Sequence, residues 1–167
     1  MTSTKTLILN DSQVRQKVRR MAFQIYENNF SEKSIVLAGI DGQGYALAGE
    51  LGKEVASISP LKVISVKVSL NKEAPTEGDV ILDVEISSLR KKSIVLIDDV
   101  LNTGRTLAYA MKPFLSIEIR SIEVAVLVNR SHPQFPIQPQ YTGYELSTSL
   151  NEHVTVVLGE KSAVYLH

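Results

Sequence analysis

Residues 94–109 constrain this chain more than any other stretch. Ile94, Val95, Leu96 and Ile97 form an apolar run that ends in two adjacent acids, Asp98 and Asp99. Val100 and Leu101 follow, then the turn-forming Asn102, Thr103, Gly104, Arg105 and Thr106, and then the helix-like Leu107-Ala108-Tyr109. The apolar run reads as a strand covered on both faces. It delivers two carboxylates to its C-terminal edge, beside the start of a helix. Unpaired N–H groups at such a start suit a phosphate. The carboxylates repel a phosphate and suit hydroxyls or a hydrated Mg²⁺ instead. A ligand with a polyol at one place and a phosphate nearby satisfies both halves, and a phosphorylated ribose is such a ligand. The plainer alternative is a buried strand running into an ordinary helix cap, with the acid pair there by chance.

The rest of the chain narrows the class. Its 167 residues suit one domain, residues 1–167, with a substantial core. Basic and acidic side chains number 18 each, so no net field pulls the protein toward nucleic acid. There is no cysteine, which excludes disulfides, thiolate catalysis and Cys-based metal sites. His132, His153 and His167 lack metal-ligand spacing. Met1-Thr2-Ser3-Thr4-Lys5 leads into no signal-like apolar segment, and no apolar run reaches membrane-spanning length. A soluble, cytoplasmic protein is expected.

Strand and helix signals alternate. Thr6–Leu9 reads as a short strand, and Asn10 with Gln13 has capping-box spacing. Val14, Val18, Met21 and Ile25 then recur at helical spacing. Arg15, Lys17, Arg19 and Arg20 lie largely off that stripe and read as a solvated face. Ser34–Ile40 reads as a buried strand, residues 45–55 as a helix, and residues 61–70 as a strand. Residues 71–79, with Pro75 and Gly78, read as a mobile loop or hairpin. Residues 93–97 are the motif strand and residues 106–115 its helix, which Pro113 kinks or ends. Residues 121–128 and 154–158 are later strands, separated by a tail containing Pro133, Pro136 and Pro139. This alternation predicts an α/β fold with a mostly parallel central sheet flanked by helices. Ligands on such sheets sit beyond the strand C-termini. The loops after Ile40, Ile97 and Val128 are therefore expected to converge.

Val-Leu-Ile-Asp-Asp-Val-Leu-x-Thr-Gly-Arg-Thr resembles the ribose-5-phosphate loop of type I phosphoribosyltransferases. The resemblance implies that fold, with a small hood and a flexible loop over the site. It implies that Asp98 and Asp99 meet the ribose hydroxyls of phosphoribosyl pyrophosphate and a Mg²⁺ through water. It implies that Asn102, Thr103, Gly104, Arg105 and Thr106 wrap the 5-phosphate. Gly42, Gln43 and Gly44 stand where the family has its pyrophosphate-binding loop. Two glycines permit unusual backbone angles and close approach of an anion, although a plain strand–helix turn fits the same residues. Lys67 and Lys72 are candidates for a cation near the leaving pyrophosphate, and each also reads as a surface lysine. Val128, Asn129 and Arg130 stand where the family's hood meets the nucleobase. Asn129 has a donor and an acceptor to offer, Arg130 a charge or a stacking plane, and His132 a proton near neutral pH, although a lone loop histidine also reads as an exposed bystander.

Within that superfamily the chain is most similar to the pyrimidine-operon attenuator/uracil phosphoribosyltransferase family. The likeness runs from Leu7-Ile8-Leu9-Asn10 through Ala125-Val126-Leu127-Val128-Asn129-Arg130-Ser131-His132 to Ser147-Thr148-Ser149. It implies transfer of ribose 5-phosphate to a pyrimidine such as uracil, and a homodimer or higher homo-oligomer. Three departures stand out. The family's Thr-Arg-Gly is here Gly42-Gln43-Gly44, its Val-Asp-Arg-Gly-His has Asn129 and Ser131 in place of the acid and the glycine, and Asn102 replaces a tyrosine. Residues 133–150 contain no Lys or Arg, where the family has several. Phosphate neutralisation drives RNA affinity, so RNA binding is not expected. The rival reading is a nucleotide-sensing or RNA-binding regulator on the same fold with little catalysis. A response-regulator-like receiver also carries acids at strand ends, but they come from separate strands and have no Thr-Gly-x-Thr turn beside them.

Overall fold

A computed structural model describes residues 4–167. Residues 1–3, part of the opening stretch read as lacking a leader, lie outside the described residues. The main sheet is built from β2 (Ser34–Ile40), β3 (Lys62–Ser69), β4 (Ile81–Leu82), β5 (Ser93–Leu101), β6 (Ser121–Asn129) and β7 (Tyr141–Glu145). Its order is β4-β3-β2-β5-β6-β7, parallel throughout except for the short edge strand β4. From β2 the chain first adds β3 on one side and later β5 on the other. The order therefore reverses between β2 and β5, which opens a crevice beyond their C-terminal ends.

Two layers of side chains enclose this sheet. Ile35, Leu37, Val95 and Ile97 face the side covered by α1 (Asp11–Asn28) and α2 (Gln43–Ile58). Val36, Ala38, Ile40, Ile94 and Leu96 face the opposite side, with Leu107 and Ala110 of α3 (Arg105–Ala110) and with Phe114. The unbroken apolar runs of β2 and β5 follow from burial on both faces. Helix α1 starts at the expected capping box, in which Asn10 and Gln13 exchange side-chain-to-backbone bonds of 2.8 and 2.9 Å. Its stripe of Val14, Val18, Met21, Ala22 and Ile25 is buried.

A second, antiparallel sheet of order β1-β9-β8 forms the hood from both ends of the described chain: β1 (Thr6–Leu9), β8 (Val154–Val157) and β9 (Ala163–Leu166). Asp11 Oδ1 accepts from the Ser162 N–H at 2.8 Å and pins the hood to the start of α1.

Several boundaries differ from expectation. Strand β5 continues through the acids to Leu101, because Asp98, Val100 and Leu101 stay paired with Val126, Val128 and Asn129 of β6. Tertiary pairing overrides the poor strand propensity of aspartate there. Helix α3 stops at Ala110, and a 3₁₀ turn at Phe114–Ser116 follows Pro113, which has no N–H to continue the ladder. Strands β4, β7 and β9 were not among the expected elements, and β7 lies in the proline-bearing tail. The basic residues of α1 form a largely solvated face as expected, with Arg15, Arg19 and Arg20 exposed and Lys17 half-buried, and they also make contacts within the chain. Arg15 pairs with Asp11 at 2.9 Å, Lys17 Nζ lies 5.9 Å over the Tyr144 ring, and Arg20 donates to Gly143 O at 2.6 Å.

Candidate active site

Asp98 and Asp99 lie on β5 at the crevice. Asp98 is buried, with 5% of its surface exposed, and Asp99 is half-buried. The Asp99 N–H donates to Asp98 Oδ1 at 2.9 Å. Burial, then the charge of neighbouring Asp99, pushes the Asp98 carboxyl up from 3.8 to about 8, while Lys72 pulls it partly back. Both acids open onto a cavity of about 320 Å³ shared with Lys72, Thr103, Thr106 and Val154 of the hood. Of the two lysines considered, Lys72 belongs to this cavity. Lys67 instead holds its Nζ 5.1 Å over the Tyr45 ring.

The turn beside the acids is braced from behind. Gly104 has φ +87°, a left-handed conformation that favours glycine, and its O accepts from Ala108 N at 2.9 Å to start α3. Thr103 Oγ1 accepts from the Arg105 N–H at 3.2 Å. The Thr103 carbonyl accepts from Gln134 N and Phe135 N at 2.9 and 3.0 Å. Phe135 also meets Tyr109 edge to face at 6.1 Å. The proline-bearing tail thus supports the turn.

The glycine loop behaves differently from expectation. Only Gly42 is an unusual backbone position, with φ +98°, and its N–H is taken by Asp41 Oδ1 at 2.9 Å. Gln43 and Gly44 are already in α2. Gly44 is small because α2 lies against β5: a Cβ there would sit 2.9 Å from Asp98 Oδ1 and 3.0 Å from Ile97 O. Gln43 Oε1 accepts from the Leu158 N–H at 3.0 Å and so ties α2 to the hood.

The residues expected at a nucleobase are engaged within the chain. Asn129 Oδ1 accepts from Ser131 N at 2.9 Å, and its Nδ2 is 3.4 Å from Glu145 Oε1. Val128 is fully buried in the core and, like Asn129, belongs to β6 of the main sheet and not to the hood. Arg130, 9% exposed, donates to Asn102, Thr148, Ser149 and Glu152. His132 Nε2 lies 2.7 Å from Thr148 O. Sequence reasoning did not find Thr148, Ser149 and Glu152 as Arg130's partners, although Thr148 and Ser149 lie in a stretch quoted for the resemblance. The pairing spans 18 to 22 residues and leaves no local pattern.

Residues 6–162 match the family described as Phosphoribosyl transferase domain. The chain is 32% identical to the Bifunctional protein PyrR of Bacillus pumilus, over 93% of this chain and 92% of that one. It is 33% identical to the protein of the same name from a Thermoanaerobacter species, over 96% and 94%. In fold it resembles a hypoxanthine-guanine phosphoribosyltransferase of Bacillus anthracis, with a TM-score of 0.74 at 17% identity, covering 87% of this chain and 85% of that one. A hypoxanthine phosphoribosyltransferase of Trypanosoma cruzi gives 0.76 at 14%, covering 89% and 84%. The acid pair, the braced Thr-Gly-Arg-Thr turn and the match along nearly the whole chain lead to one conclusion: the protein belongs to the type I phosphoribosyltransferases, in the family of the bifunctional PyrR proteins.

Proposed function

We propose that the protein moves ribose 5-phosphate from phosphoribosyl pyrophosphate to a ring nitrogen of a nucleobase, a pyrimidine such as uracil, and releases pyrophosphate. The observation that carries this reading is the single cavity that holds Asp98, Asp99 and the 103–106 turn. In this reading the carboxylates hold the ribose hydroxyls. Asn102, Thr103, Gly104, Arg105 and Thr106 hold the 5-phosphate. Gly42, Gln43 and Gly44 border the pyrophosphate, and Val128, Asn129 and Arg130 back the base side. Positive charge develops at the anomeric carbon as its bond to pyrophosphate lengthens, and a fixed carboxylate pair stabilises that charge. The raised pKa of Asp98 adds a consequence. Burial and the Asp99 charge favour its neutral form, and positive charge nearby favours its ionised form.

The donor set also suits Mg²⁺ as cofactor. Among the described residues no group of three or more His, Cys, Asp or Glu could cage a metal. Mg²⁺ commonly keeps its waters and binds through one or two carboxylates and substrate phosphates, which Asp98 and Asp99 match. When bound, it would neutralise charge on the leaving pyrophosphate.

A second reading, a nucleotide-sensing regulator with weak catalysis, draws on Gln43. That side chain brings no cation to the pyrophosphate side, and its carbonyl is tied to Leu158. RNA binding has less support, since residues 133–150 carry no Lys or Arg. A homodimer or higher homo-oligomer and a cytoplasmic site of action complete the proposal. Among the described residues no helix is long and apolar enough to cross a membrane. The decisive test is a panel of nucleobases with phosphoribosyl pyrophosphate and Mg²⁺, read by pyrophosphate release. Release with uracil supports the enzyme reading. Tight binding of phosphoribosyl pyrophosphate with no release from any base supports the sensor.

A further inference from the structure

We propose that Arg130 is a positioning residue that locks the hood segment at residues 148–152 onto the phosphate turn and fixes which end of the Asn102 amide faces the substrate. This rests on the phosphoribosyl pyrophosphate reading of the site. Arg130 leaves the end of β6, where its own N–H pairs with Leu101 O at 3.0 Å. Its guanidinium is buried and makes four bonds. Nε donates to Thr148 Oγ1 at 2.9 Å, one terminal nitrogen to Asn102 Oδ1 at 2.7 Å, and the other to the carbonyls of Ser149 and Glu152. One side chain therefore joins the turn after β5 to the segment before β8. Each bond leaves a rigid fork in a fixed direction, a geometry that lysine cannot copy.

The chemistry of the Asn102 contact is directional. A guanidinium only donates, so the amide oxygen must face it. The Asn102 NH₂ is the end left over. Asn102 forms part of the wall between the acid cavity and a second cavity of about 250 Å³ bounded by Asn129, His132 and Ile137. Among the described residues that NH₂ has no partner, so it supplies the turn with a donor for an anionic oxygen, and Arg130 keeps the acceptor end turned away from it.

Calorimetry with phosphoribosyl pyrophosphate and Mg²⁺ tests this in four variants: Arg130→Lys, Asn102→Ala, Asn102→Asp and the double Arg130→Lys/Asn102→Ala. Each of the first two is expected to weaken binding about tenfold, the scale of one charge-assisted hydrogen bond. The double variant is expected to be no weaker than the poorer single, because both act through one contact. Asn102→Asp separates positioning from stability. It converts the contact into an ion pair and removes the donor, so the melting temperature rises while affinity falls. Wild-type affinity in Arg130→Lys, additive losses in the double variant, or tighter binding by Asn102→Asp would each overturn the proposal with the functional reading intact. Absence of binding by the wild-type protein would overturn both.

Discussion

Gly44 is pressed against Asp98 so closely that a methyl group added to it would lie 2.9 Å from the Asp98 carboxylate oxygen. Two of its nearest neighbours, Ile97 O at 3.0 Å and the Asp98 Cα at 3.1 Å, are backbone and cannot swing aside. Gly44→Ala therefore has to move α2 away from β5. We expect a stability loss of about 1–3 kcal/mol, the usual cost of overpacking. We also expect weaker binding of phosphoribosyl pyrophosphate, because Asp98 is displaced. Gly49→Ala, where a Cβ meets open space, serves as the control. Equal melting temperatures for the two variants would show that the contact is slack.

The Asp98 carboxyl makes stability fall with pH. Its folded pKa, about 8, lies above its ordinary 3.8, so the unfolded chain loses the proton first. The contribution is fully present below 3.8, declines as pH rises, and is lost once pH passes about 8. Asn cannot ionise. Asp98→Asn should thus gain melting temperature over wild type at pH 8.5, with little gain at pH 4, when both are unfolded without divalent ions. A gap independent of pH would mean that the Asp98 carboxyl has the same pKa in the folded and unfolded chain.

Asp98→Asn combined with Asp99→Asn is expected to abolish binding of phosphoribosyl pyrophosphate without loss of fold. Calorimetry should give no heat of binding while circular dichroism is unchanged. Retained affinity would remove the acid pair from the site.

Gln43→Ala removes the acceptor for the Leu158 N–H and leaves the hood less firmly tied to α2. One lost side-chain-to-backbone bond is worth about 1 kcal/mol, or roughly 2–4 °C in a domain of this size. Hydrogen exchange should localise the loosening to β8 and its flanks. An unchanged exchange rate at Leu158 would show that water replaces the glutamine at no cost.

For RNA, residues 133–150 offer no Lys or Arg, while Arg15 and Arg20 stay exposed beside Asp11 and the Thr142 and Gly143 carbonyls. Titration against a pyrimidine-operon leader transcript at physiological salt should give no better than non-specific affinity, about 10⁻⁴ to 10⁻⁶ M by analogy with DNA. Nanomolar, sequence-selective binding lost in Arg19→Ala/Arg20→Ala would make the regulator reading the primary one.

The elements that carry local periodicity were legible in the sequence, and so was the acid motif. The β2 and β5 runs, the Asn10–Gln13 box and the stripe of α1 all signal within a few residues and begin where expected, although β5 runs on to Leu101. What was hidden depends on partners far along the chain. Strand β9 is short and makes sense only between β1 and β8, which lie at opposite ends of the sequence. Gly44 looks like an anion-loop glycine until Asp98 is brought against it. Arg130 and Asn129 read as free functional groups because nothing nearby in sequence reveals their acceptors.

The central position of β9 in the hood also sets an order of assembly during synthesis. The main sheet has all its strands once Glu145 has emerged, so the acid pair and its turn can be framed early. Strands β1 and β8, however, do not pair with each other; each needs β9. A nascent chain that has reached only Val157 therefore carries two strands without their shared partner. Its roof is completed when residues 163–166 slot between β1 and β8.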